Sequence, residues 1–122
     1  MENLINWFEI PAKDFGRAVT FYKAILSLEI TEAEMFGTKM GFFPTDGKNV
    51  SGAIVQGENY EPSTDGVVAY LNGGSDLQNV LNKVEKFNGK IIVPKTQISP
   101  EMGYFGMFTD TEGNKMAVHS IN

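Results

Sequence analysis

Several residue types are absent or scarce in this chain of 122 residues, and each shortage removes a class of chemistry. There is no cysteine. That excludes a disulfide framework, a thiolate nucleophile and cysteine-ligated zinc or iron–sulfur centres. His119 is the only histidine, so the two-histidine, one-carboxylate triad of a non-haem iron site cannot be built. Arg17 is the only arginine, the lysines are scattered, and the net charge is −5. Phosphate binding needs clustered Lys and Arg, so nucleic acid is not an expected partner. No apolar run approaches the roughly 20 residues that span a bilayer. The opening "MENLINWFEI" lacks the basic and apolar regions of a signal peptide. The expectation is a soluble cytoplasmic protein with no membrane or nucleic-acid partner.

Hydrophobic residues make up 42% of the chain and charged residues 20%, a globular composition of a length that suits one domain. Within it the chain repeats itself. Aligning Asp14 with Asp76 places Phe15, Ala18, Val19, Tyr22 and Ile25 against Leu77, Val80, Leu81, Val84 and Phe87. Both sets step as i, i+3, i+4, i+7, i+10, the stripe of an amphipathic helix. Asp14 and Asp76 stand where an N-cap belongs, and Phe87-Asn88-Gly89 supplies a helix stop. The match continues past the helices. "LEI" at 28–30 pairs with "KII" at 90–92, "MGFFPTDGKN" at 40–49 with "YFGMFTDTEGN" at 104–114, and "GAIV" at 52–55 with "MAVH" at 116–119. Asp46-Gly47 and Glu112-Gly113 read as turns between strands. Each half is therefore strand, helix and three strands. The expected modules cover 1–57 and 66–122, joined by a polar linker at 58–65, all within one domain.

Two stretches carry a family resemblance. "DFGRAVTFYKAIL" is similar to the D-x-x-R-A-x-x-F-Y helix opening of the vicinal oxygen chelate superfamily, and "DTEGNKMAVHS" to its closing D-P-x-G-N strand. The chain thus resembles the glyoxalase/bleomycin-resistance/dioxygenase family over nearly its whole length. The resemblance implies an α+β fold of two tandem βαβββ modules forming curved mixed sheets around a cleft, the glyoxalase/bleomycin-resistance/dihydroxybiphenyl-dioxygenase fold. It also implies a homodimer. The family includes isomerases, dioxygenases, antibiotic-modifying transferases and metal-free proteins that sequester drugs, so the fold leaves the chemistry open.

In the metalloenzymes of that family each module gives one ligand from its first strand and one from its fourth. The fourth-strand carboxylate follows the closing glycine by four residues; here that position is Ala117, and its repeat equivalent is Ala53. In the first strands, alternation puts Leu4, Phe8 and Ile10 on the helix-packed side and Ile5, Trp7 and Glu9 toward the cleft. The expected ligand positions are then Trp7 or Ile5, and Val68 in the second module. None can bind a metal, so no metal or other cofactor is expected. A relocated site of Glu9, Gln56 and His119 is the alternative.

His119 reads either as an acid/base or hydrogen-bonding group in the cleft, or as a buried neutral imidazole held by Tyr70 or Glu9. Glu9 reads as a general base, a ligand anchor, or one end of a structural bond. Trp7, Glu9, Val55, Tyr70, Tyr104 and His119 are the expected lining of a small-molecule site, with Phe105 and Met107 adding apolar surface. The segment "TQISPEMGY" at 96–104 is either a lid over the cleft or an ordinary turn, and "NGG" at 72–74 a tight strand-to-helix connection. Three functions follow: a metal-free protein binding a small organic ligand; a glyoxalase-type lyase or isomerase using a relocated metal or Glu9 and His119 as an acid/base pair; or a regulatory module on the same scaffold.

Overall fold

A computed structural model describes residues 3–122. The chain runs β1 (Trp7–Pro11), α1 (Phe15–Leu26), β2 (Thr31–Met35), β3 (Thr38–Phe42), β4 (Ser51–Gln56), β5 (Tyr70–Asn72), α2 (Gln78–Val84), β6 (Lys90–Ser99), β7 (Gly103–Thr109) and β8 (Lys115–Ser120). The two sheets have the same plan, β1-β4-β3-β2 and β5-β8-β7-β6. In each, the first strand lies parallel to the fourth and the other neighbours are antiparallel. The fold is α+β with two tandem βαβββ modules, as the repeat implies.

The apolar stripes of the helices explain the packing. Phe15, Ala18, Val19, Tyr22 and Ile25 of α1 join Val80, Leu81 and Val84 of α2 in a single core with Ile10, Ile54, Leu71, Phe108 and Val118 from the two sheets. The helices come close because the third strand of each module puts a glycine beneath them. A Cβ on Gly41 would stand 2.9 Å from the Ile30 side chain and 3.3 Å from Val19; one on Gly106 would stand 2.8 Å from Leu81. Asp14 caps α1 as expected, accepting from the Arg17 amide at 3.1 Å. At α2 the N-cap is Leu77, and Asp76 accepts from the Gln78 amide one step earlier. Asn88, with φ 76°, ends that helix, and the Gly89 amide returns to the Val84 carbonyl.

Three strand expectations change. Residues 28–30 are not a strand; β2 begins at Thr31. Leu28 and Ile30 pack against the core, which produced the apolar signal. The β2–β3 hairpin turns on Phe36 and Gly37, both at positive φ, a primed turn that matches strand twist. β5 has only three residues, so Val68, expected on it, lies before it, and its neighbour Val67 is 99% exposed. Leu4 and Ile5 lie before β1 and are exposed, so neither belongs to a strand face.

The β7–β8 turn fastens the second module to the first. The Asp110 carboxylate accepts from the Glu112 and Asn114 amides, the Asn114 side chain and the Tyr22 hydroxyl. Glu112 accepts from the Lys13 and Asp14 amides at 2.8 and 2.6 Å and from Arg17 Nε at 2.7 Å. Its side chain is fully buried while that of Arg17 is half exposed. Asn114 also donates to the Pro11 carbonyl. Burial alone would raise the Glu112 carboxyl; Arg17, the Asp14 amide and Thr111 outweigh it and hold the group below its usual range. Burial, with Asp110 beside it, pushes the Tyr22 phenol well up, so Tyr22 stays a donor.

Candidate functional site

Strand register decides which side chains face away from the helices. In the second sheet Tyr70 stands beside Ala117, Asn72 beside His119, Phe105 opposite His119 and Met107 opposite Ala117. These share the open face. Tyr104 does not. It stands opposite Ser120, packs against the core, and lies under Lys95 Nζ at 4.6 Å from the ring centre. The expected cleft position of Tyr104 is therefore corrected: it is off by one residue, and one residue reverses the face. In the first sheet Trp7, Glu9, Val55, Met40 and Phe42 share the open face.

The register also moves the positions next to the two alanines. Ala53 has Glu9 beside it, not Trp7 or Ile5, and Ala117 has Tyr70, not Val68. The fourth-strand positions remain methyl groups, both fully buried. The relocated set does not assemble. The Gln56 side chain turns to the head of α1 and accepts from the Phe15 amide at 2.6 Å. Glu9 accepts from Trp7 and Tyr60. His119 lies in the other sheet with a partner of its own. Among the described residues no three His, Cys, Asp or Glu side chains come together as metal ligands do. The residues present do not fit the divalent ion of the metalloenzymes. Glu9 and His119 lie in different sheets, and each is held by different groups.

His119 is half-buried, not enclosed. Its Nε2 lies 2.6 Å from the Met102 carbonyl, where Tyr70 or Glu9 was expected. A carbonyl can only accept, so Nε2 carries the proton and Nδ1 keeps its lone pair in the neutral ring. Met102 sits in the tight turn between β6 and β7, so the segment 96–104 is a hairpin end and not a lid. That turn could not be recognised as a histidine partner in the sequence, because the contact uses a backbone atom.

A cavity of ≈ 660 Å³ opens beside this imidazole, lined by Tyr70, Asn72, Ile98, Met102, His119 and Ile121 among others. The Tyr70 ring is 56% exposed and leans on Phe105, with ring centres 6.5 Å apart. The Asn72 carbonyl oxygen accepts from the Gly74 amide, which fixes that side chain and leaves its NH₂ to donate. The site thus offers an aromatic face, aliphatic walls, one acceptor at His119 Nδ1 and one donor at Asn72. Ile98 and Ile121 were not foreseen; they come from the far end of β6 and the chain's last residues. A second concavity of ≈ 500 Å³ at the end of α1, lined by Thr20, Lys23, Ala24, Ser27, Leu28 and Glu29, holds no aromatic side chain. Among the described residues no helix is long and apolar enough to cross a membrane.

Comparison with known proteins agrees with this architecture. The family profile described as "Glyoxalase/Bleomycin resistance protein/Dioxygenase superfamily" matches residues 4–118. A "Glyoxylase-like domain-containing protein" of Didymella fabae is 31% identical over 118 residues, covering 93% of this chain and 91% of that one. TnmS3, an antibiotic binding protein from Streptomyces sp. CB03234, superposes with a TM-score of 0.69 at 17% identity, covering 97% and 95% of the two chains. The genomically encoded fosfomycin resistance protein FosX from Listeria monocytogenes gives 0.67 at 16% identity over 98% and 91%. Sequence repeat, sheet order and profile coincide over the whole domain, and this chain belongs to the Glyoxalase/Bleomycin resistance protein/Dioxygenase superfamily.

Proposed function

We propose that the chain binds a small organic molecule in the cavity beside His119, using its own side chains and no metal. The observation that carries the reading is the pairing of an exposed aromatic face, Tyr70 on Phe105, with a histidine whose tautomer is set by the Met102 carbonyl. Small-molecule pockets are largely apolar with a few fixed polar groups, which is the make-up of this lining. A ligand that stacks on Tyr70 and donates to His119 Nδ1 fits it. TnmS3, similar in fold, is an antibiotic binding protein, and the same use of the scaffold is proposed here.

The test is a thermal-shift screen of small organic molecules against chelator-treated protein. Compounds that raise the melting temperature are expected to lose that effect in Tyr70→Ala and His119→Ala. Stabilisation that survives both substitutions would place the ligand elsewhere. A homodimer is also proposed: β1 and β2, and β5 and β6, end their sheets with unpaired edges, which partner chains often cover. Sedimentation of the purified chain at several concentrations tests this, and a monomer at all of them would refute it.

A further inference from the structure

The first sheet carries a second constellation that shares no residue with the cavity beside His119. Glu9 is exposed on the open face of β1. Trp7 Nε1 donates to its Oε2 at 3.3 Å, and the Tyr60 hydroxyl to its Oε1 at 3.0 Å. Phe42 lies two strands across, beyond Ala53, and its ring centre is 6.1 Å from that of Trp7 at an interplanar angle of 53°. Trp7 is 43% exposed, so part of its ring is open to solvent.

Two aromatic side chains therefore hold one carboxylate by their polar edges, and a third ring, Phe42, leans on the first of them, Trp7. Both of the carboxylate's hydrogen-bond donors are neutral, and among the described residues no lysine or arginine pairs with it. A carboxylate has about four lone-pair sites, so two donors leave it capacity for a further partner. Its negative charge is held in position and left uncompensated. The Tyr60 phenol is raised by its bond to Glu9 and so remains protonated as a donor.

We propose that the open ring surface of Trp7, backed by Phe42, together with the Glu9 carboxylate that Trp7 and Tyr60 hold, binds a small organic cation of the alkyl- or quaternary-ammonium type. Such ions are attracted to ring faces, with tryptophan the strongest, and to an adjacent carboxylate. Weak hydration makes them easier to remove from water than a bare metal ion. A hard divalent ion needs six or more oxygen ligands, and a single carboxylate does not supply them. The acidic charge of the whole chain, −5, works in the same direction.

Trp7 is the only tryptophan, so fluorescence excited beyond the tyrosine absorption band reports on this site. The full chain is titrated with choline and, separately, with the uncharged alcohol in which carbon replaces the ammonium nitrogen. Choline should give a saturable change, and the neutral analogue should bind about tenfold more weakly or less. Glu9→Gln keeps the size of the side chain and removes its charge. It should weaken choline binding about tenfold while leaving the melting temperature unchanged, because Glu9 is exposed, its two hydrogen bonds are to neutral donors, and no salt bridge is lost. His119→Ala should leave the choline response intact, which separates this site from the cavity in the second module. Equal binding of the two compounds overturns the proposal. So does the absence of a saturable choline response, or choline binding that Glu9→Gln leaves unchanged.

Discussion

Removing the Glu112 carboxylate should loosen the fastening between the two modules. Glu112→Ala strands two amides at the head of α1, those of Lys13 and Asp14, and leaves Arg17 Nε and the Thr111 hydroxyl without their partner. Breaking a buried ion pair typically costs about 3–5 kcal/mol. Arg17 is half exposed and regains water, so the lower end of that range, about 3 kcal/mol, is expected here. A domain of this kind has about 5–15 kcal/mol in all, so the loss is a large share. The assay is urea unfolding followed by far-ultraviolet circular dichroism. The midpoint should fall with the slope unchanged, as for a change in stability alone. Acid sensitivity follows from the same contacts. The folded Glu112 group titrates below its unfolded value. Its contribution is therefore complete above the unfolded pKa, about 4.3, and is lost as pH falls through the folded one. Glu112→Gln should be destabilised at neutral pH and lose less on acidification than the native chain. A loss below about 1 kcal/mol in Glu112→Ala would refute the view that this turn clasps α1, since surface pairs cost no more than that.

Other expectations test the core, the face assignments and the donor set. Leu81→Ala should cost about 2–5 kcal/mol, because Leu81 is buried against the close approach at Gly106; calorimetry measures it. Gly106→Val should also destabilise, since its Cβ alone would fall 2.8 Å from Leu81 and 3.2 Å from the Val93 carbonyl. Tyr104→Ala should lower the melting temperature and leave ligand binding unchanged, while Tyr70→Ala should do the reverse, because the two rings lie on opposite faces of the second sheet. Chelator-treated protein incubated with nickel, zinc, manganese or iron(II) and desalted should retain well under one equivalent by elemental analysis, given that Glu9, Gln56 and His119 each face other partners.

The helices and the repeat were readable because their signals are local. The stripe from Phe15 to Ile25 and the cap at Asp14 depend only on residues within a few turns of one another. The fourth strands, 52–55 and 116–119, were readable for the same reason: short apolar runs after turn residues. β2 was not, because "TEAEM" is a polar, largely exposed edge strand whose turn sits on Phe36-Gly37 without the usual asparagine or aspartate. Val67 and Val68 resemble a strand by residue type, yet the strand beside β8 begins only at Tyr70. Tyr104 was assigned the wrong face because the β6–β7 turn sets the register, and alternation alone does not locate that turn. The contacts that shape the sites are long-range. Tyr60 reaches Glu9 across 51 positions and Glu112 reaches Arg17 across 95. A lone arginine in the first helix and an acidic residue in the closing turn were visible separately, but only the fold joins them.

Because His119 is the only histidine, its imidazole gives one set of ring signals, and these test the central claim most directly. Nitrogen-15 spectra of chelator-treated protein should show the neutral ring protonated at Nε2, as the Met102 carbonyl requires. Adding a small molecule that stabilises the protein should shift the Nδ1 signal while the ring stays free of metal. A stabilising ligand that leaves both ring nitrogens unmoved, or that acts only when a divalent ion is restored, would contradict metal-free binding beside His119.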